Sequence, residues 1–126
     1  MKIKAVCEQT GLTDRTIRYY IEEGLISPFY TENYLGRKNF DFSEADVAML
    51  KDIAILRKFG FSIAEIKQLS QHPEEAVSII QRLQARKQQD VDDELSMLSV
   101  LKQLDAEKTH TISELSDALA TPVHPA

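Results

Sequence analysis

The chain has 126 residues, 43% of them hydrophobic, which suits one modest domain with a small core plus an extension. A single cysteine, Cys7, excludes an internal disulfide, and no apolar run approaches the roughly 20 residues of a membrane helix. The net charge of −5 argues superficially against nucleic acid as a partner.

That charge is unevenly spread. Residues 1–42 hold six basic side chains (Lys2, Lys4, Arg15, Arg18, Arg37, Lys38) against six acidic ones, and residues 43–70 hold four of each. Residues 71–126 hold five basic against ten acidic, so the whole excess of acid lies there. Phosphate binding depends on local fields, so a neutral N-terminal part with clustered arginines keeps nucleic acid open. The opening stretch MKIKAVCEQTG has neither a long apolar run nor a cleavage pattern. No secretion signal is expected, and the cytoplasm is the expected location.

In chain order, a first helix is predicted over about Ile3 to Thr10, stopped by Gly11. Thr13 caps a second helix whose apolar face is Ile17, Tyr20 and Ile21. Gly24 stops it. The opposite face carries Arg15, Arg18, Tyr19 and Glu22, spaced i, i+3, i+4, i+7. Two short helices joined by Gly-Leu-Thr read as a helix-turn-helix. Residues 26–42 break the helical pattern with Pro28, turn residues Asn33 and Gly36, and alternating Phe40 and Phe42, which predicts a β-hairpin wing.

Ser43, with Asp46 three residues on, opens a third helix with dense apolar positions at Val47, Leu50, Ile53, Ala54 and Leu56. Gly60 ends it. Ser62 and Glu65 form a capping box for a fourth helix with Ile63, Ile66 and Leu69 inward. From Pro73 to about Asp105 there is no further proline or glycine, which predicts a single helix of roughly 50 Å at 1.5 Å per residue. Val77, Ile80, Leu83, Val91, Leu95, Leu98, Leu101 and Leu104 give it an apolar stripe, interrupted over residues 84–90. A lone helix of this length cannot bury such a stripe, so a partner is expected, most simply the same helix of a second chain. Thr111 and Glu114 cap a short final helix, and the tail TPVHPA is expected to be loose.

Three linked motifs, TIRYYIEEGLISP (16–28), FSEADVAML (42–50) and LRKFGFSIAEIKQL (56–69), resemble the MerR family of bacterial transcription regulators. The resemblance covers residues 1–70 in order. It implies a mainly α fold: a winged helix-turn-helix DNA-binding domain at 1–70, a dimerisation helix at 71–106 that pairs antiparallel as a coiled coil, and a short helix and tail at 107–126. It further implies a homodimer on a palindromic promoter operator in double-stranded DNA. There the dimer distorts an over-long spacer so that RNA polymerase can engage, in some members under a small-molecule effector.

Residue by residue, the resemblance places Arg18, Tyr19 and Tyr20 on the family's arginine-tyrosine-tyrosine motif, which contacts bases and phosphates. Thr13, Arg15 and Thr16 lie at the start of the same helix and join the DNA-contact candidates. In the wing the family reads Gly-Tyr-Arg before an aromatic residue. Here the stretch is Gly36-Arg37-Lys38-Asn39-Phe40, so the tyrosine is replaced and either Arg37 or Lys38 takes the arginine's role. Arg57 falls where the family often has a phosphate-contacting base.

Each residue also has a plainer reading. Surface arginines are usually solvated, but Arg15 and Arg18 face away from the apolar stripe within a specific motif, which favours donation to phosphate or to a guanine edge. Tyr20 lies on the core side, which leaves Tyr19 as the better DNA-facing tyrosine. Arg37 and Lys38 could simply protect a hairpin edge. Cys7 reads as a small half-buried side chain. His72, His110 and His124 lack chelating spacing, and the run Asp90, Asp92, Asp93, Glu94 reads as a solvated face. No cofactor, metal or membrane partner is expected, and no nucleophile–base set or phosphate loop suggests an enzyme. Two other readings share the head: a MerR-like protein-binding module that modulates a chaperone partner, and an architectural DNA binder that need not have the long dimer helix.

Overall fold

The computed structural model describes residues 1–105, 108 and 110–120. The chain divides into two compact units, Met1–Gln81 and Arg82–Ala126.

In the first unit, α1 (Ile3–Thr10) ends at Gly11, whose N–H donates to the Cys7 carbonyl at 2.9 Å. The Thr10 hydroxyl donates to the Val6 carbonyl (2.7 Å) and accepts from the Leu12 N–H (3.2 Å), which tightens the turn into the next helix. That helix, α2 (Asp14–Glu22), is capped by Thr13, whose Oγ1 accepts from the Thr16 N–H at 3.1 Å. The cap satisfies one of the donors a helix start leaves without an intrahelical partner. Ile17 and Tyr20 point inward and are buried.

The wing consists of β1 (Phe29–Glu32) and β2 (Lys38–Asp41), paired antiparallel with Tyr30 opposite Phe40 and Glu32 opposite Lys38. Its turn is organised by Asn33, whose Oδ1 accepts from the N–H groups of Leu35 (2.9 Å) and Arg37 (3.0 Å). Gly36 turns the chain at φ 76°, a left-handed conformation that costs glycine nothing. The base of the hairpin is tied to the chain start. The Phe42 N–H donates to the Met1 carbonyl at 2.8 Å, and the Met1 ammonium reaches the Phe42 carbonyl at 3.0 Å and Asp41 Oδ1 at 2.5 Å.

Helix α3 (Glu44–Phe59) starts in a reciprocal capping box between Ser43 and Asp46 and stops at Gly60. Helix α4 (Ile63–Gln71) starts in a second box between Ser62 and Glu65. The core gathers Val6, Ile17, Tyr20, Ile26, Phe42, Val47, Leu50, Ile53 and Ile66, with Cys7 half-buried at its edge. Every element up to α4 except β1 thus sends at least one side chain into or against one core, and α2 and the wing are fixed relative to each other.

After α4 the expectation of one helix from Pro73 onward is corrected. Residues Pro73–Glu75 form a 3₁₀ turn, and α5 runs from Ala76 to Lys102, 27 residues or about 40 Å. His72, the residue before a proline, is driven out of the helical region and sits at φ −135°, ψ 71°, which separates α4 from this turn. A side-chain hydrogen bond from Gln68 to Glu75 spans the break. At the other end the Gln103 N–H is shared between the Ser99 and Val100 carbonyls, and the helix stops short of Asp105.

The apolar residues at the start of α5 differ in burial. Ile79 and Leu83, four apart, are buried, whereas Val77 and Ile80 are exposed. In the second unit, Val91, Leu95, Leu98 and Leu101 remain 45–59% exposed, together with Met97. Helix α6 (Ile112–Ala120) starts as expected at Thr111, which accepts from the Glu114 N–H at 3.0 Å. The tail at 121–126, with His124, lies outside the described residues.

Candidate nucleic-acid interface

The outward face of α2 carries Arg15, Arg18, Tyr19 and Glu22, all exposed. Arg15 has no hydrogen-bond or ion-pair partner among the described residues. Arg18 is held: its Nε donates to Asp14 Oδ1 at 2.5 Å, one helical turn back. Its guanidinium carbon also lies 5.9 Å from the centre of the Phe40 ring on β2. Arg18 therefore links the exposed helix face to the wing, and its terminal nitrogens make no hydrogen bond to a described residue.

The wing adds its own cations. Lys38 Nζ sits 4.6 Å over the Tyr30 ring, a cation–π contact that holds the ammonium near the sheet while leaving it wet. Tyr30 meets Phe40 edge-on at 5.9 Å, and Phe40 meets Phe42 at 6.1 Å, so a chain of rings runs from the exposed strand face down to the core. An open cleft lined by Arg18, Ile21, Glu22, Lys38 and Phe40 separates α2 from the wing. Arg37 is exposed, and its backbone, not its side chain, is fixed by Asn33.

The remaining candidates have structural duties. Tyr20 is buried, and its ring lies 6.2 Å from that of the exposed Tyr19. Thr13 Oγ1 donates to Thr16 Oγ1 at 2.9 Å, so these two hydroxyls serve each other and the cap. Arg57 Nη1 donates to the Phe61 carbonyl at 2.9 Å and closes the turn between α3 and α4.

Some contacts have no local sequence signal. Lys67 Nζ pairs with Glu23 Oε2 at 2.6 Å and ties α4 to the end of α2. Both groups are about a third exposed, so the pair contributes at most about 1 kcal/mol. The Met1 ammonium beside Asp41, through its hydrogen bond and then its charge, holds that carboxyl below its ordinary value. His72, Glu74 and Glu75 bring ligand atoms within 4.8 Å of one another at the turn before α5, with His72 Nδ1 3.3 Å from Glu74 Oε1. His72 and Glu74 are exposed and pair with each other, and Glu75 already accepts a hydrogen bond from Gln68. Asp92 and Asp93 each accept from a glutamine four residues earlier, which fits a solvated helix face. Ile55 and Phe59, four apart on α3, are exposed and were given no role by the sequence. No helix among the described residues is long and apolar enough to cross a membrane.

Known proteins share this fold. The MerR HTH family regulatory protein pattern matches residues 1–72. The chain is 38% identical over 69 residues to the HTH-type transcriptional regulator HmrR of Rhizobium leguminosarum, covering 55% of this chain and 50% of that protein. It is 32% identical over 107 residues to the HTH-type transcriptional regulator CueR of Vibrio cholerae, covering 82% of this chain and 74% of CueR. Among solved structures, the EcmrR–DNA complex in EcmrR-RPo superposes with a TM-score of 0.71 at 28% identity, over 81% of this chain and 37% of that one. A MerR family transcriptional regulator from Listeria monocytogenes gives 0.56 at 26% identity, over 93% and 92%. The chain thus spans about half the length of HmrR and little more than a third of EcmrR. With the family pattern matched over residues 1–72, the chain belongs to the MerR family of helix-turn-helix transcription regulators.

Proposed function

We propose that this chain acts as a homodimer that binds a palindromic promoter site, with α2 in the major groove and the wing on the flanking backbone. The observation that carries it is the arrangement of Arg15, Arg18 and Lys38: three exposed cations on two elements, joined where Arg18 meets Phe40. Arg18 offers two terminal nitrogens for bidentate contact with a guanine edge, while Arg15, Arg37 and Lys38 suit phosphates. Tyr19 stands beside Arg18, and its hydroxyl can donate to the backbone of the duplex.

Dimerisation is assigned to α5. Val91, Leu95, Leu98 and Leu101 form an exposed apolar strip, which an antiparallel copy of the same helix would cover. Two heads held by one pair of helices would read two half-sites, and bending or untwisting the DNA between them would cost several kcal/mol, up to about 6 by elastic estimates. RNA polymerase at the realigned promoter is the partner this reading implies, and a small-molecule effector is left open by it. The test is a footprint. One protected region with two-fold symmetric halves, occupied by two chains, is expected; protection of a single half-site by one chain would refute the dimeric reading.

A further inference from the structure

Asp14 occupies the first position of α2 and accepts the Nε–H of Arg18 at 2.5 Å. An acid beside the groove-facing arginine is unexpected if that arginine only neutralises phosphate, because the carboxylate cancels its charge and repels the backbone. The arrangement makes sense if direction matters more than charge. A guanidinium has five N–H donors in a rigid fork. Once Nε is taken, the two terminal nitrogens remain and point along the end of the side chain. That edge matches the O6/N7 pair of guanine. Phe40 lies 5.9 Å from the guanidinium carbon, so a second element limits the swing that the Asp14 bond alone would permit. Arg18 makes no other hydrogen bond or ion pair with a described residue.

We propose that Asp14 is a specificity-determining positioning residue: it holds Arg18 so that the arginine's terminal fork reads a base edge, and its charge discourages Arg18 from settling on phosphate. This rests on the reading of α2 as the recognition helix. Asp14 itself need not touch DNA. Its effect is therefore on the ratio of specific to non-specific affinity, not on affinity as such.

The test uses the full chain and two duplexes, one selected by the wild-type protein from a random-sequence pool and a scrambled version of it. Asp14→Ala is expected to lower the selected-to-scrambled affinity ratio about tenfold, the loss of part of one bidentate contact. Affinity for the scrambled duplex should stay equal or rise, because a repelling charge is gone. A merely structural role would lower both affinities together, and that outcome overturns the proposal. Asp14→Asn keeps an oxygen that accepts from Nε but loses the charge, so its affinity for the scrambled duplex should rise as in Asp14→Ala while its affinity for the selected duplex stays within about threefold of wild type; a loss of selected-duplex affinity as deep as that of Asp14→Ala overturns positioning by the acceptor. Arg18→Ala separates the two levels. If Arg18→Ala loses the ratio and Asp14→Ala keeps it, the proposal alone fails. If wild type selects no sequence, or Arg18→Ala keeps the ratio, the recognition-helix reading fails and takes the proposal with it.

Discussion

Arg18 and Tyr20 are two residues apart and have opposite fates, one exposed beside the wing and one buried in the core, because a helix turns about 100° per residue. Replacing Arg18 by Ala should therefore leave the fold intact and weaken specific DNA binding by about 1–3 kcal/mol, or roughly 5- to 150-fold. Anisotropy titrations paired with a thermal melt check both halves of that statement. Leu50 belongs to the other class. It is fully buried in α3, and Leu50→Ala should cost about 2–5 kcal/mol in denaturant unfolding while removing no contact to DNA. Asp41 gives a pH signature. Its carboxyl is held below its ordinary value by the terminal ammonium, so its contribution to stability is present above the unfolded value and disappears as pH falls through the lowered one, below about pH 4. The difference in melting temperature between wild type and Asp41→Asn should shrink over that interval, and a constant difference would show that the contact is not maintained in solution.

At the scale of elements, the boundaries were largely legible because caps are local chemistry. Thr13, Ser43 and Ser62 each accept from the N–H three residues on, and each helix start sits where its cap residue predicts. The wing was legible from Asn33 and Gly36 for the same reason. The long helix was read less well. Pro73 drives His72 out of the helical region and ends α4, and the burial of Ile79 could not be told from a sequence with Val77, Ile79, Ile80 and Leu83 all apolar. Contacts between distant segments left no signal at all: Lys67 with Glu23, Lys38 over Tyr30, and Met1 with Asp41 depend on the finished fold. The cationic face of α2 was visible as a spacing, but its junction with the wing through Phe40 was not. Asn33 offers a test at this scale. Asn33→Ala removes the acceptor of two backbone N–H groups and should loosen the wing turn, seen as faster amide exchange at Leu35 and Arg37 with α2 unchanged.

At the scale of the whole molecule, the acid excess lies in residues 71–126 and Arg15, Arg18, Arg37 and Lys38 lie in residues 1–42, which reconciles a net charge of −5 with the proposed DNA-reading head. The exposed strip on α5 bears on assembly. Leu98→Asp would place a charge in the proposed seam and should convert the dimer to monomers in sedimentation equilibrium; an unchanged dimer would put the interface elsewhere. The central claim is sequence-specific DNA binding, and it is tested most directly by titrating the full chain with a self-selected duplex and its scrambled form at several salt concentrations. The account predicts tighter binding to the selected duplex by about 10³-fold or more, with log affinity falling linearly against log salt as phosphate contacts release counterions. Equal affinity for the two duplexes, or no binding at low salt, would contradict it.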